Sequence, residues 1–347
     1  MAQPAHGTSL TTEILATLPQ AVDPLALSLN ESPFPPLPAV RSALIRSIDA
    51  VNRYPEFLPG QLRRLVADRV GVDEEQVVLG AGASGVVMQV LHAVTQPGER
   101  IVMSQPTFDG YPIFAQMAGL APVTIPLNQY GHNDLAAMAD AATGARVVVL
   151  CRPHNPTGTL EPVSAVDWLL RQIPSDTVVL LDEAYIEFVA ARYRIDGPDL
   201  IRSFPNVVVL RTFSKAYGLA GLRIGYGFAA PELASVLWTM QLPFGMSNVC
   251  AAAVAASYDA EDQLVQRIRR ITSERNHLRL RLMAMGIYST DSHANFVYLP
   301  PARRPWREVF AESGVQVRHY PDGAVRVSVG DLRSTLGVLS AVGKSLA

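Results

Sequence analysis

Lysine is scarce in this sequence of 347 residues: of its 29 basic residues, 27 are arginines and only two, Lys215 and Lys344, are lysines. A general bias toward arginine explains the surface, where either residue supplies the same positive charge. Lysine is then expected to persist where a titratable primary amine is needed, because a guanidinium does not readily lose its proton and act as a nucleophile. Lys344 stands three residues from the C-terminal end and is expected to be solvated. Lys215 is therefore the candidate functional amine.

Other shortages exclude whole classes of function. The net charge is −2, with no block of like charges, which argues against nucleic acid or an anionic membrane as a partner. No apolar run reaches the ~18 residues of a membrane span, and residues 1–9 lack the basic and apolar segments of a signal peptide. The two cysteines, Cys151 and Cys250, form no disulfide framework or metal-binding pattern. We therefore predict a protein of the reducing cytoplasm that holds no metal.

Short continuous apolar runs indicate strands that are buried on both faces. They alternate with helical patterns and lie at residues 76–79, 100–103, 146–150, 177–181 and 207–210. Such runs favour an α/β fold in which helices cover a mostly parallel sheet. After about residue 255 a long amphipathic helical stripe precedes two further strand patterns, at residues 295–299 and 324–329. We predict three parts: an N-terminal arm (1–35) that packs with the small domain or a partner subunit, a large domain (36–255) and a small α+β domain (256–347).

A glycine-rich motif occupies residues 80–85, which read Gly-Ala-Gly-Ala-Ser-Gly between a predicted strand and a predicted helix. Such a turn directs backbone N–H groups and a helix N-terminus toward a phosphate. A dinucleotide site would also need an acidic residue about 20 positions later, at the end of the second strand. That strand ends at residues 103–106 without a carboxylate. The motif thus favours a phosphate-binding turn over a dinucleotide site, and a plain tight turn is the other interpretation.

Polar candidates follow three of the predicted strands. Asp182 stands at a strand end where ligands bind in parallel sheets, and it could pair with a protonated ring nitrogen or cap the next turn. Residues 211–223 combine Lys215 with hydroxyl and small residues and end on Arg223, which indicates an amine nucleophile beside an anion pocket rather than a basic surface loop. Asn155 lies between two prolines that restrict its backbone. Its neighbour His154 is typical of a solvated loop residue.

Three of these segments together resemble the fold-type I pyridoxal-phosphate aminotransferases, within them the group of histidinol-phosphate and aromatic amino acid aminotransferases. The segments are Asn-Pro-Thr-Gly at residues 155–158, Asp-Glu-Ala-Tyr at residues 182–185, and residues 211–223. The resemblance extends from about residue 29 to the C-terminus. It implies a pyridoxal 5'-phosphate cofactor and a ping-pong transfer of an amino group from a donor to a 2-oxo acid, expected to be 2-oxoglutarate. It also implies a homodimer with shared active sites.

The resemblance implies a role for each matching residue. Lys215 would hold the cofactor as a Schiff base and then act as a base, and Asp182 would keep the ring nitrogen protonated. Asn155 and Tyr185 would hydrogen-bond the phenolic oxygen of the ring. Lys215, Asp182 and Tyr185 are therefore the candidate catalytic residues. The other implied cofactor contacts are the phosphate-binding Ala83, Ser84, Ser214 and Arg223, the ring-stacking Phe108, and Tyr54, which would reach the phosphate of the neighbouring subunit.

Arg326 matches the arginine that clamps the substrate carboxylate, or its surrogate, in a bidentate fork. In the strand pattern at residues 324–329 the valines would face one way and Arg326 the other. A solvated arginine on an edge strand is the competing interpretation.

The sequence leaves the substrate open. Histidinol-phosphate aminotransferases usually carry a Tyr-x-Pro-Gly element near the N-terminus, which residues 8–26 lack, and residues 152–154 read Arg-Pro-His where Asn-Pro-Asn is more usual. Both regions are expected to border the substrate, so L-histidinol phosphate and an aromatic amino acid stand side by side as donors. An amino acid decarboxylase on the same scaffold is the first alternative. A dinucleotide oxidoreductase and a cofactor-binding regulator follow it.

Overall fold

Two β-sheets organise the structure, a computed structural model that describes residues 17–346. Residues 1–16, which hold the first part of the predicted arm and the stretch considered for a signal peptide, lie outside the described residues. In chain order the strands are β1 (Ala26–Leu27), β2 (Val77–Ala81), β3 (Arg100–Gln105), β4 (Ala121–Pro126), β5 (Val147–Cys151), β6 (Val178–Asp182), β7 (Val207–Thr212), β8 (Ile224–Ala229), β9 (Phe296–Leu299), β10 (Gln316–His319) and β11 (Val325–Ser328).

The larger sheet has the strand order β2-β8-β7-β6-β5-β3-β4 in the described chain. The five strands from β7 to β4 run parallel to one another, whereas β8 runs antiparallel to both β2 and β7. Side chains on both faces are buried, as Val147, Leu180 and Val209 illustrate with no exposed surface. This burial explains why the strands read as continuous apolar runs rather than as alternating patterns.

Helices cover both faces of this sheet and form most of the C-terminal part. Several end on local signals: α1 begins with a proline in its first turn, and α2 ends at Gly71 in the left-handed conformation. The helices are α1 (Pro38–Ser47), α2 (Gly60–Val70), α3 (Gly82–Val94), α4 (Gly110–Met117), α5 (Leu135–Ala142), α6 (Val163–Gln172), α7 (Gly197–Ser203), α8 (Pro231–Trp238), α9 (Asn248–Asp259), α10 (Glu261–Ala284), α11 (Trp306–Ala311) and α12 (Leu332–Leu346).

A smaller sheet has the order β1-β10-β11-β9. Its strands come from both ends of the described chain, because β1 pairs in parallel with β10 while β11 pairs antiparallel with β10 and β9. The strand β1 thus carries the residues that follow it, Ser28 to Glu31, to the gap between the two sheets.

The predicted α/β fold with a mostly parallel, helix-covered sheet is confirmed. All five predicted strand runs are strands, as are the two patterns after residue 255. The strands β1, β4, β8 and β10 were not predicted, and the helix predicted to follow the glycine-rich motif begins within that motif, at Gly82, directly after β2. Ile45 near the end of α1 and the apolar residues Ile48 and Val51 just after it are exposed. The domain boundaries at residues 35 and 255 stay predictions.

In the range 17–346, every helix is too short or too polar to cross a bilayer.

Candidate active site

A cavity of about 320 Å3 lies at the carboxyl end of the parallel strands, between the larger and the smaller sheet. It lies where a parallel sheet is expected to bind its ligand. The structure brings together in its lining most of the predicted site residues: Ala83, Ser84, Phe108, Asn155, Asp182, Tyr185, Ser214, Lys215, Arg223 and Arg326.

The half-buried side chain of Lys215 lines this cavity, on the segment that follows β7. Its Nζ donates a hydrogen bond to the backbone oxygen of Leu29 at 3.1 Å. Burial, followed by the positive charge of Arg326, lowers the pKa of Lys215 from 10.5 to about 8. This shift increases the fraction of the amine that is unprotonated and nucleophilic near neutral pH.

Asp182 is the last residue of β6 rather than the first residue beyond it. Its Oδ1 accepts a hydrogen bond from the N–H of Ala184 at 3.0 Å, as in the predicted capping of the next turn. Its Oδ2 accepts a second hydrogen bond, from the hydroxyl of Tyr111 at 2.8 Å. Burial raises the pKa of Asp182, while the hydrogen bond from Tyr111 opposes that shift. The carboxylate of Asp182 thus caps the next turn and also lines the cavity. Its second partner, Tyr111, was not predicted from the sequence.

The hydroxyl of Tyr185 accepts hydrogen bonds from two side-chain amides, Asn30 Nδ2 at 3.0 Å and Asn155 Nδ2 at 3.4 Å. Its own hydrogen is then available to an acceptor in the cavity. Burial raises the pKa of Tyr185, so the phenol stays protonated. Asn30, which was not predicted, has a left-handed backbone with φ 56° and is held by Asn295 Nδ2, which donates to its carbonyl oxygen.

Arg326 is buried on β11, which lies between β10 and β9, so the interpretation as a solvated edge arginine is wrong. Its two terminal nitrogens donate to Asn155 Oδ1 at 2.6 Å and to the backbone oxygen of Ser28 at 2.7 Å. Its Nε is buried and finds no acceptor among the described residues. A buried donor without an acceptor is costly, so this guanidinium suits an anion that enters the cavity.

A corner of the cavity is built for an anion by the start of α3. No side chain caps this helix at Ala81, so its first N–H groups and its dipole are free to act on a negative charge. The hydroxyls of Thr212 and Ser214 and the guanidinium of Arg223 face the same corner. Arg223 has a left-handed backbone with φ 55°, a conformation that is uncommon for such a residue and concentrates at functional sites.

Two glycines allow this corner to close tightly. A Cβ on Gly82 would stand 2.4 Å from Arg223 Nη2, and a Cβ on Gly225 would stand 2.2 Å from the backbone nitrogen of Ala83. Only glycine lets β8 and Arg223 come this close to the first turn of α3.

Phe108 lines the cavity, where its ring meets Tyr111 edge-on at a centroid distance of 5.8 Å. Tyr54 does not line it. That residue is 82% exposed and packs on Phe244, with 4.9 Å between the ring centroids, in a separate surface cleft.

Arg152 and His154 do not reach the cavity, although the sequence analysis expected their segment to border the substrate. Both have no exposed surface, so the interpretation of His154 as a solvated loop residue is wrong. Arg152 Nε donates to the backbone oxygen of Glu161 at 2.8 Å, and His154 Nε2 lies 3.0 Å from the backbone oxygen of Pro106. These two side chains hold the loop that carries Asn155 in place, on the side of the loop away from the cavity.

Comparison with known proteins gives a consistent pattern. The family described as aminotransferase class I and II matches residues 22–339. The chain is 41% identical over 307 residues to an aromatic amino acid aminotransferase of Cutibacterium acnes, covering 88% of this chain and 87% of that one. It is 40% identical over 333 residues to an aromatic amino acid aminotransferase of Rhodococcus opacus, covering 94% and 92%. The crystal structure of histidinol-phosphate aminotransferase from Sinorhizobium meliloti in complex with pyridoxal-5'-phosphate has a TM-score of 0.86, at 26% identity and 98% coverage of both chains.

The cavity fits the cofactor of that crystal structure. The corner closed by Gly82 and Gly225 suits a phosphate, since an uncapped helix end and a guanidinium face it. Asp182 suits a protonated ring nitrogen, and the amine of Lys215 suits an aldehyde.

Proposed function

The chain belongs to the class I and II aminotransferase family and uses pyridoxal 5'-phosphate, and we propose that it moves the amino group of an aromatic amino acid to 2-oxoglutarate. The observation that carries this proposal is the meeting of two cations in one cavity, the half-buried Lys215 amine and the buried Arg326 guanidinium. An amino acid needs both: a base near its Cα and a clamp for its carboxylate. When bound, the cofactor supplies a ring that delocalises the negative charge left at the substrate Cα.

In this proposal Lys215 would hold the cofactor covalently, and its freed amine would take the proton from the substrate Cα and pass it to the cofactor. The pKa of about 8 suits both tasks, because the amine can bind and release a proton near neutral pH. Asp182 holds a proton on the ring nitrogen. Asn155 and Tyr185 orient the ring through its phenolic oxygen, and the start of α3 with Ser214 and Arg223 holds the phosphate.

Arg326 would orient the substrate through its α-carboxylate. Its Nη1 already bonds Asn155 Oδ1, so the carboxylate clamp and one contact of the ring form a single rigid unit. That coupling would place the Cα proton of a bound amino acid at a fixed distance from the ring.

The balance of charge in the cavity favours an aromatic donor over histidinol phosphate. Histidinol phosphate has no carboxylate, so its phosphate would occupy Arg326, and the nearly double negative charge of that phosphate would need a second free cation. The remaining guanidinium among the described lining residues, Arg318, is already paired with Asp109 at 2.9 Å. Leu29, Phe108 and Phe114 offer apolar surface instead. The curated relatives at about 40% identity also carry the name aromatic amino acid aminotransferase.

A donor panel tests this proposal. With 2-oxoglutarate as acceptor, we expect kcat/KM for phenylalanine or tyrosine to exceed that for histidinol phosphate by at least about tenfold, or ~1.4 kcal/mol. A kcat/KM for histidinol phosphate that exceeds those for phenylalanine and tyrosine by about tenfold would contradict the proposal. Release of carbon dioxide without formation of a 2-oxo acid would instead identify the decarboxylase alternative.

A substitution at the cavity mouth sharpens the panel. Asp109→Asn removes the partner of Arg318, so we expect kcat/KM to rise for histidinol phosphate and not for phenylalanine. Asp167→Asn breaks a comparably exposed ion pair with Arg171, far from the lining, and is the matched control that should change neither.

We further propose that the enzyme works as a homodimer in which Tyr54 reaches the cofactor phosphate of the partner. Support comes from the exposed apolar surface around this residue. Its members are Ile45 (58% exposed), Ile48 (56%), Val51 (63%), Tyr54 (82%), Phe57 (61%), Leu242 (66%) and Phe244 (44%). Within this set the rings of Tyr54 and Phe57 pack on Phe244, and an exposed apolar cluster of this kind is typical of a protein interface. The cytoplasmic setting expected from the sequence stays a prediction.

A further inference from the structure

We infer that Tyr111 is a positioning residue that aims the carboxylate of Asp182 at the ring nitrogen of the cofactor. The inference rests on the role proposed above for Asp182. Tyr111 is the second residue of α4, is 1% exposed, and donates its hydroxyl hydrogen to Asp182 Oδ2 at 2.8 Å.

The two oxygens of Asp182 have separate anchors. Oδ1 is held by the N–H of Ala184, in the turn that directly follows β6. That local contact alone leaves the carboxylate free to turn about its bond to Cβ. Tyr111 holds Oδ2 from a different element, so the two contacts together fix the plane of the carboxylate.

The Tyr111 ring is itself held in place. It packs edge-on against Phe108 and Phe114, at centroid distances of 5.8 and 6.1 Å. A ring locked by its neighbours presents its hydroxyl in one direction, so it acts as a fixed donor rather than an adaptable one.

The chemistry of the pair defines which form of Asp182 is favoured. Burial and the nearby Asp182 charge raise the pKa of Tyr111 well above its usual value, so the phenol stays a donor throughout the working range. A hydrogen bond donated to a carboxylate stabilises its ionised form and makes it a weaker base. The proton that Asp182 shares with the ring nitrogen therefore stays on the nitrogen.

Four titratable groups act on Asp182. They are Tyr111 on α4, Cys151 at the end of β5, with its Sγ 3.8 Å from Oδ2, Tyr185 after β6, and Lys215 after β7, the last two acting through their charge. A thiol at that distance is a weak donor, so Tyr111 is the main partner of Oδ2.

A double-mutant comparison tests the inference through Tyr111→Phe and Asp182→Asn, singly and combined. Two quantities are measured: the dissociation constant of pyridoxal 5'-phosphate, by titration of the apoenzyme, and the pH at which the absorbance of the bound cofactor changes. We expect Tyr111→Phe to weaken cofactor binding about tenfold. We also expect it to raise the pH midpoint, because a less charged ring makes the nitrogen of its lysine linkage more basic. In the Asp182→Asn background Tyr111→Phe should change neither quantity.

Tyr258→Phe is the matched control, because the buried Tyr258 hydroxyl has no hydrogen-bond partner within residues 17–346; it should leave both quantities unchanged. Equal effects of Tyr111→Phe in both backgrounds would overturn the inference, since Tyr111 would then act on packing rather than through Asp182. No effect of Tyr111→Phe beside a clear effect of Asp182→Asn would overturn the inference and leave the proposed role of Asp182 intact. If Asp182→Asn itself changed neither quantity, that proposed role would fail, and the inference with it.

Discussion

At the scale of single residues, the environment of Lys215 governs its chemistry. The side chain is a lysine like any other, but burial and the charge of Arg326 lower its pKa to about 8. The negative charge of Glu31 opposes that shift. The same cavity therefore makes the amine reactive and keeps it titratable.

This pKa predicts how the apoenzyme takes up its cofactor. Only the unprotonated amine can attack an aldehyde, so we expect the attachment rate to rise with pH through about 8 and to level off above it. Glu31→Gln removes the opposing charge and should shift this midpoint to lower pH, whereas Lys344→Gln, at an exposed site, should leave it unchanged. Stopped-flow absorbance measures the rate, and a midpoint near the ordinary 10.5 would contradict the burial argument.

Sequence reasoning found most residues of the cavity but not their supports. Lys215, Asp182 and Arg326 stand out because each is chemically distinctive for its place in the chain. Tyr111 and Asn30 carry no such signal: one is an aromatic residue in a helix and the other an amide in the segment after β1. Their contacts with Asp182 and Tyr185 arise only when distant elements meet.

At the scale of elements, the junction of β2, β8 and α3 forms the proposed phosphate corner. The helix begins without a loop after β2, and β8 runs against its first turn. Gly225 on β8 is therefore the closest backbone neighbour of the turn, since its missing Cβ would stand 2.2 Å from Ala83 N and 2.3 Å from Gly82 C.

We expect Gly225→Ala to destabilise this junction by about 1–3 kcal/mol, because the added methyl group meets backbone that cannot move aside. Cofactor affinity should fall with it, since the first turn of α3 must shift. Gly221→Ala is the matched control: no atom lies within 4 Å of its Cβ position, so stability should change by less than about 0.5 kcal/mol. Chemical denaturation and cofactor titration of both variants provide the comparison, and equal behaviour would contradict the close-packing argument.

Physical reasons explain why some features of the fold were not predicted from the sequence. β4 has prolines as its second and last residues, Pro122 and Pro126, which usually argue against a strand, but it lies at the edge of the sheet, where a missing N–H is tolerated. β8 contains Gly225 and Gly227, which lower strand propensity, yet both are needed where the strand crosses α3 and β7. Burial of Arg152 and His154 likewise depends on partners in distant segments, Tyr193 and Pro106.

At the scale of the whole molecule, the N-terminal strand ties the two sheets to one cavity. Because β1 joins the smaller sheet, Ser28 accepts from Arg326 and Asn30 donates to Tyr185. The proposed substrate clamp on β11 is thereby linked to the proposed ring contact of Tyr185, which follows β6 of the larger sheet. The geometry of this cavity therefore depends on the position of the smaller sheet relative to the larger sheet.

The proposed dimer extends that assembly to a second subunit. If each site combines Lys215 of one subunit with Tyr54 of the other, mixing Lys215→Ala subunits with Tyr54→Ala subunits should restore activity, since one site in each hybrid contains both native residues. Either variant alone should stay impaired. A control mixture contains Tyr130→Ala subunits in place of Tyr54→Ala subunits. Tyr130 is 62% exposed and lies outside both clefts. Absence of recovery in hybrids that sedimentation shows to be dimeric would contradict shared sites.

The central claim is that the Lys215 amine carries the cofactor. Holoenzyme treated with borohydride, digested and analysed by peptide mass spectrometry tests it most directly. We expect the peptide that contains Lys215 to gain the mass of the reduced cofactor, and the peptide that contains Lys344 to stay unmodified. An unmodified Lys215 in protein saturated with pyridoxal 5'-phosphate would contradict the account.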